Sequence, residues 1–226
     1  MMQISPTDPH AVITGDFIGF SPLSAAMRKD LYGLVKKSGS RLNQVFGRRM
    51  AGALDMFRGD AWQMLFSDPS AAFRAGLLFR ALIRAEAQLS RIDVRMAIGV
   101  GTVDYVPQGH VSAGDGEAFR RSGRLLEAMT TPRAGTFRFA MADDRLSPII
   151  DGLAILAGAL AADWTPMQAR AVSGALVGMT QKQIADAWEE GISFQAVSRH
   201  LQRAAWPALR HAIHQYEAVM RRPAAD

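Results

Sequence analysis

The sequence predicts an α+β protein in two parts, a mixed sheet with helices over residues 1–145 and an all-α part over residues 146–226. Three observations predict it. Through the first 140 residues short apolar runs alternate with longer helical patterns, as in a mixed α/β domain. Two of those runs meet tightly around Gly59-Asp60, so the sheet is at least partly antiparallel. After Phe139 the strand signal stops, and residues 146–220 carry helical periodicity broken at Pro166, Gly178, Gly191 and Pro207.

The strand candidates are residues 11–14, 53–57, 61–66, 94–100 and 136–140. Residues 23–45 place Met27, Leu31, Leu34, Val35, Leu42 and Val45 among Arg28, Lys29, Lys36, Lys37 and Arg41, the pattern of an amphipathic helix, with an interruption expected near Gly39. Its basic side reads as a solvated face. Residues 70–89 and 118–129 are further helices, and the class changes between residues 143 and 148. No internal repeat or low-complexity tract interrupts the pattern.

Composition narrows the function classes. With 49% hydrophobic residues in 226, the chain can bury real cores. The absence of cysteine excludes a disulfide framework and a thiolate metal site. No cationic segment followed by an apolar run opens the sequence, so a cytoplasmic location is expected. The longest apolar stretch, residues 149–162, contains Asp151 and two glycines and falls short of the roughly 20 residues a spanning helix needs, which argues against a membrane partner. The net charge of +5 points to an anionic partner without locating it. Up to Arg145 there are 19 Lys/Arg against 14 Asp/Glu, and from Leu146 onward 7 against 7. Within the second part no acid occurs between residues 191 and 216, where Arg199, Arg203 and Arg210 lie.

In that part, Thr180-Gln-Lys-Gln-Ile184-Ala185-Asp-Ala-Trp188 reads as a short helix capped by Thr180, whose side-chain oxygen can accept from an early backbone amide. Gly191-Ile192 makes a turn, and Ser193 caps a second helix from Phe194 to Ala204. Phe194, Val197, Leu201 and Ala204 would pack on Ile184, Ala185 and Trp188. The other side presents Gln195, Ser198, Arg199, Gln202 and Arg203, side chains suited to base edges and phosphates of double-stranded DNA. Thr180, Gln181 and Ser193, at the two helix starts, complete the candidate DNA-binding set. The stretch resembles the helix-turn-helix of many bacterial repressors, "T-Q-x-x-I-A" followed by "G-I-S-x-x-A-V-S-R-H-L", with two extra residues between Ala185 and Gly191. An ordinary helical hairpin with a polar outer face has the same pattern. Reading two half-sites implies a homodimer. Residues 208–220, with Leu209, Ile213, Tyr216 and Met220 in one stripe, and residues 149–160 are the candidate pairing surfaces, and each is equally suited to intramolecular core.

Three N-terminal segments also carry polar motifs: Gly15-Asp16-Phe-Ile-Gly19-Phe20, Gly59-Asp60-Ala-Trp-Gln63, and Val94-Arg95-Met-Ala-Ile-Gly99-Val-Gly101 leading to Gly114-Asp115-Gly116-Glu117-Ala-Phe-Arg120-Arg121. Together they resemble class III nucleotide cyclases across most of residues 10–130, and more closely the SatD-like family, which joins such motifs to a C-terminal helix-turn-helix segment. The resemblance implies a ferredoxin-like, nucleotide-cyclase-like sheet, with Asp16 and Asp60 as ligands of Mg²⁺ or Mn²⁺ that hold a nucleotide. Carboxylates at the ends of neighbouring strands suit Mg²⁺, which completes its octahedron with waters and phosphate oxygens. Asp beside Gly suits a turn equally well. The chain departs from working cyclases where Met56 stands at the base-selecting position. Placing Arg124 at the family's arginine position also puts Arg120 where asparagine is expected. Without those orienting groups turnover should be slow at best.

Gly99 and Gly101 lack the third glycine and following helix of a dinucleotide fingerprint. The five histidines show no metal-ligand spacing, and no Ser, His and Asp set points to a hydrolase. Trp62 and Gln63 read as strand residues, one packed and one exposed. The combined expectation is a DNA-binding regulator whose cyclase-like part senses a nucleotide ligand or a regulatory protein, or serves to dimerise. The alternatives are a metal-dependent nucleotidyl cyclase and a regulator that binds protein without DNA.

Overall fold

Strand β1 (His10–Ile18) is the axis of the molecule, because its apolar residues alternate to supply two cores, one on each face of a sheet. The computed structural model describes residues 8–89, 91–130 and 135–221. After β1 come α1 (Ala25–Phe46), β2 (Asp55–Phe57), β3 (Ala61–Phe66), α2 (Ala72–Arg84), β4 (Asp93–Gly101), α3 (Glu117–Ala128) and β5 (Phe137–Ala140). The sheet order is β2-β3-β1-β4-β5. β1 runs antiparallel to β3 and β4, β2 and β3 form a hairpin, and β5 lies parallel to β4. The first four strands with α1 and α2 are therefore a ferredoxin-like βαββαβ unit, and α3 carries the crossover to β5. The mixed sheet expected from the sequence is present, and every strand candidate overlaps an observed strand, although the candidate at 53–57 is strand only over Asp55–Phe57.

On one face Ala11, Ile13 and Phe17 meet α1 and α2. On the other, Val12 and Leu65 pack with Val111, Ala118 and Phe119 beneath α3. Gln63, expected to be exposed, lies under α3: its Nε2 donates to Thr14 Oγ1 at 3.0 Å, and that hydroxyl is 2.8 Å from Ser122 Oγ. Two glycines make these contacts possible. A Cβ on Gly99 would lie 2.3 Å from the Ala118 carbonyl oxygen, so α3 can sit directly on β4, and a Cβ on Gly15 would lie 2.3 Å from the Trp62 ring. Gly99 thus serves the packing of α3 on the sheet.

Helix α1 passes through Gly39 without the expected interruption. Its buried stripe of Leu31, Val35, Ser38, Leu42 and Phe46 continues on both sides of Gly39, and that packing outweighs the ~1 kcal/mol by which glycine disfavours a helix. The hairpin turn has three residues, Arg58, Gly59 and Asp60, the first two at positive φ.

From α4 (Leu146–Ala162) onward the chain is helical: α5 (Pro166–Leu176), α6 (Gln181–Asp186), α7 (Phe194–Arg203) and α8 (Trp206–Met220). Pro166 and Pro207 lie in the first turns of α5 and α8, where a missing N–H costs nothing, so Pro207 starts a helix instead of breaking one. One hydrophobic core runs from the sheet through α2 into α5, α7 and α8. Polar links tie the same elements. The fully buried Arg80 holds Asp93 through two hydrogen bonds of 2.6 and 2.8 Å and donates to Thr136 Oγ1 and the Gly158 carbonyl. Arg74 pairs with Glu217 at 2.6 Å, and the Tyr216 hydroxyl, its pKa raised by burial, donates to the Pro69 carbonyl. Among the described residues no helix is long and apolar enough to cross a membrane.

Candidate functional site

Two polar regions could carry a function, a cleft at one edge of the sheet and the outer face of α7. In the cleft Asp16 of β1 lies directly opposite Arg95 of β4 in the strand register, so both side chains leave the sheet on the same face. The Arg95 guanidinium forks onto both Asp16 oxygens, Nε at 3.0 Å from Oδ1, while its third nitrogen donates to the Met129 carbonyl. Asp60, from the hairpin turn, shares with them a cavity of about 480 Å³, completed by Thr130 and Thr136. The hydrogen bonds that Arg95 donates to Asp16 raise the Arg95 pKa, burial opposes this, and the negative charges of Asp16 and Asp60 add to the rise.

The cleft thus brings together the two carboxylates paired in the sequence but answers one of them internally. Mg²⁺ or Mn²⁺ needs free carboxylate oxygens, and a guanidinium already bound to those oxygens competes with it. Here both oxygens of Asp16 are engaged by a guanidinium, and Asp16, Arg95 and Asp60 sum to a single negative charge. Among the described residues no group of three or more acids or histidines is placed to hold a metal. The residues as arranged do not fit a divalent ion. Met56, paired across from Trp62 in the hairpin, packs against the core. Arg120 is bound to Asp115 at 2.8 Å and Asp104 at 3.3 Å, and neither Arg120 nor Arg124 lines the cleft.

The second region is built by caps. Thr180 Oγ1 accepts from the Gln183 amide at 3.2 Å while Gln183 Oε1 accepts from the Thr180 amide at 2.8 Å, and Ser193 Oγ accepts from the Ala196 amide at 3.2 Å. These bonds start α6 and α7 where the sequence places them. Helix α6 stops at Asp186, however, and Trp188 lies in the turn, buried between the Arg170 guanidinium, 4.5 Å from its ring, and His200, at 6.3 Å. This anchor accounts for the two extra residues of the turn. Val197, Leu201 and Ala204 of the α7 segment are buried as expected, but Phe194 is 54% exposed, because it opens the helix at the open end of the turn, beyond the packed stripe.

Outward, α7 presents Gln195, Arg199, Gln202 and Arg203, with Ser198 half-buried. Thr180 and Gln181 join Ser198 and Gln202 along a groove of about 470 Å³ that also takes in Arg210 and His214 of α8. These last two were missed as site residues, although the acid-free stretch from 191 to 216 was the signal for them. Among the described residues Lys182, Arg199, Arg203 and Arg210 have no carboxylate within 4 Å.

No protein-family model matches the chain, and no curated protein matches it. Among solved structures it is similar to cyclases. The guanylyl cyclase Cya2 aligns at 18% identity over 61% of this chain and 76% of that one, with a TM-score of 0.42. A bacterial light-regulated adenylyl cyclase aligns at 21% identity over 59% of this chain and 43% of its own, also with a TM-score of 0.42. The adenylyl cyclase CyaB from P. aeruginosa aligns at 20% identity, covering 63% and 81%, with a TM-score of 0.39. The chain spans less than half of the light-regulated enzyme.

Proposed function

We propose that this protein is a regulator that binds double-stranded DNA through α7, and that its cyclase-like sheet is a platform for sensing or pairing and not a catalyst. The observation that carries the proposal is the exposed α7 face, on which Arg199 and Arg203 stand without acidic partners beside Gln195, Ser198 and Gln202. Unpaired arginines with neighbouring amides match phosphate and base-edge chemistry, and α6 with its capped N-terminus supports the face from behind. A SatD-like membership, resting on the Gly15-Asp16 and Gly59-Asp60 motifs together with this helix pair, belongs to the same proposal, as does a homodimer that offers two copies of α7 to two half-sites. The exposed Ile149, Leu156 and Leu160 on α4 suit such pairing. A nucleotide or regulatory protein would act on the sheet.

Titration of the purified chain with a fluorescein-labelled 30-bp duplex across a salt series tests the proposal. Binding that weakens steeply with salt, and weakens further in Arg199→Ala and Arg203→Ala, is expected. Salt-independent binding, or none, contradicts it.

The placing of Asp16 and Asp60 in one cavity favours a second reading, a metal-dependent nucleotidyl cyclase. It requires Arg95 to swing off Asp16, and it predicts Mn²⁺-dependent release of pyrophosphate from ATP or GTP that disappears in Asp60→Ala.

A further inference from the structure

The charge that makes this protein basic is concentrated in one segment outside α7. Residues 25–49 carry seven Lys and Arg against one acid, a net +6, while the whole chain is +5. Two of the seven have structural work: Arg49 pairs with Asp68 at 3.6 Å, and Arg28 lies over the Phe20 ring. Lys29, Lys36, Lys37, Arg41 and Arg48 are exposed, with no carboxylate within 4 Å among the described residues. At 3.6 residues per turn the four of these on α1 fall opposite its buried stripe, on one outward face about 18 Å long. Asp30 lies within that face, two turns below Lys37, and Glu86 borders it.

Its position gives this face a partner. Arg41 lines a cavity with Met179, Ile184 and Trp188, so the basic face of α1 runs up to α6 and its turn. Met179 also lines the groove between α7 and α8. We infer that α1 is a second contact for the same duplex, a phosphate-binding rail that adds affinity without reading sequence. This rests on the DNA-binding reading of α7 and extends it to the half of the chain where the excess charge lies. The middle of the face holds Gly33, Ser40 and Gln44, with no apolar side chain to enter a bilayer, which favours a nucleic acid over an anionic lipid surface. Duplex DNA carries one charge per ~1.7 Å of axis, so about ten phosphates pass along an 18 Å face.

The test is the triple variant Lys36→Gln/Lys37→Gln/Arg41→Gln, titrated against the same random-sequence 30-bp duplex beside wild type and Arg199→Ala/Arg203→Ala. All three substitutions are at exposed helix positions, and circular dichroism melting checks that the variant is folded. The inference predicts that the slope of log K against log salt becomes shallower by about 2–3 in the triple variant, and that affinity near 0.15 M salt falls by about tenfold to a hundredfold. If the triple variant keeps the wild-type slope while the α7 variant loses it, the rail is wrong and the α7 reading stands. If wild type binds no duplex at all, both fail. Binding of wild type, but not of the triple variant, to vesicles of 30% phosphatidylserine in phosphatidylcholine, with an unchanged DNA slope, assigns the face to a membrane and overturns the inference.

Discussion

The cleft around Asp16 and the outer face of α7 are both polar and both contain arginine, yet they treat charge in opposite ways. In the cleft Arg95 is spent on Asp16, so that Asp16, Arg95 and the nearby Asp60 together keep only one negative charge. On α7, Arg199 and Arg203 are exposed, with no carboxylate within 4 Å among the described residues. Charge that is paired from within holds a structure together, whereas charge left unpaired on a capped, well-packed helix is available to a partner. That difference, more than the motifs themselves, favours a binding protein over a metal-dependent enzyme.

Removing a buried arginine that is paired from within should do the most damage. Arg80→Met removes two hydrogen bonds from Asp93, which keeps the Arg84 guanidinium at 3.0 Å, and takes the donor from Thr136 Oγ1 and the Gly158 carbonyl, and should cost about 2–4 kcal/mol in urea unfolding. Next comes the outward side. Arg199→Ala and Arg203→Ala should each weaken DNA binding by about tenfold to a hundredfold with no change in melting temperature, and a loss of stability instead would break the contrast. Arg95→Gln comes third. The pair is partly exposed, so solvent screens it and the loss of stability should be about 1–2 kcal/mol. With Asp16 released, millimolar Mn²⁺ should raise the melting temperature of this variant and not of wild type. A Mn²⁺ shift in wild type that vanishes in Asp16→Asn would show that the cleft takes metal as it stands.

The smallest effect concerns His200. Burial, then the positive charges of Arg203 and Arg199, hold its pKa below the usual 6.5. The unfolded chain therefore takes up the proton first, so this contribution to stability is complete above about pH 6.5 and is lost as pH falls through the lower folded value. Melting at pH 7.5 and 5.5 should show a smaller drop in His200→Gln than in wild type.

Local pattern made much of this legible. The strand at residues 61–66 coincides with its expected range because its apolar run of Ala61, Trp62, Met64, Leu65 and Phe66 follows directly on the Gly59-Asp60 turn, and the caps at Thr180 and Ser193 need only neighbouring residues. What escaped depends on register and on distant partners. The Asp16–Arg95 pair arises because β1 and β4 lie side by side, 79 residues apart in sequence, and no motif announces that the partner of a candidate metal ligand is an arginine. Gln63 looked exposed because the covering helix, α3, comes more than fifty residues later. Trp188 read as helix because its anchors, Arg170 and His200, come from α5 and α7. Arg41 looked like ordinary solvated charge until the fold brought it to α6.

The central claim is that α7 reads DNA. Its most direct test is selection from a pool of random 20-bp duplexes by wild type and by Arg199→Ala/Arg203→Ala, with sequencing of the retained fraction. Wild type should enrich one motif and the variant none. No enrichment by wild type, or the same motif retained by the variant, would contradict it.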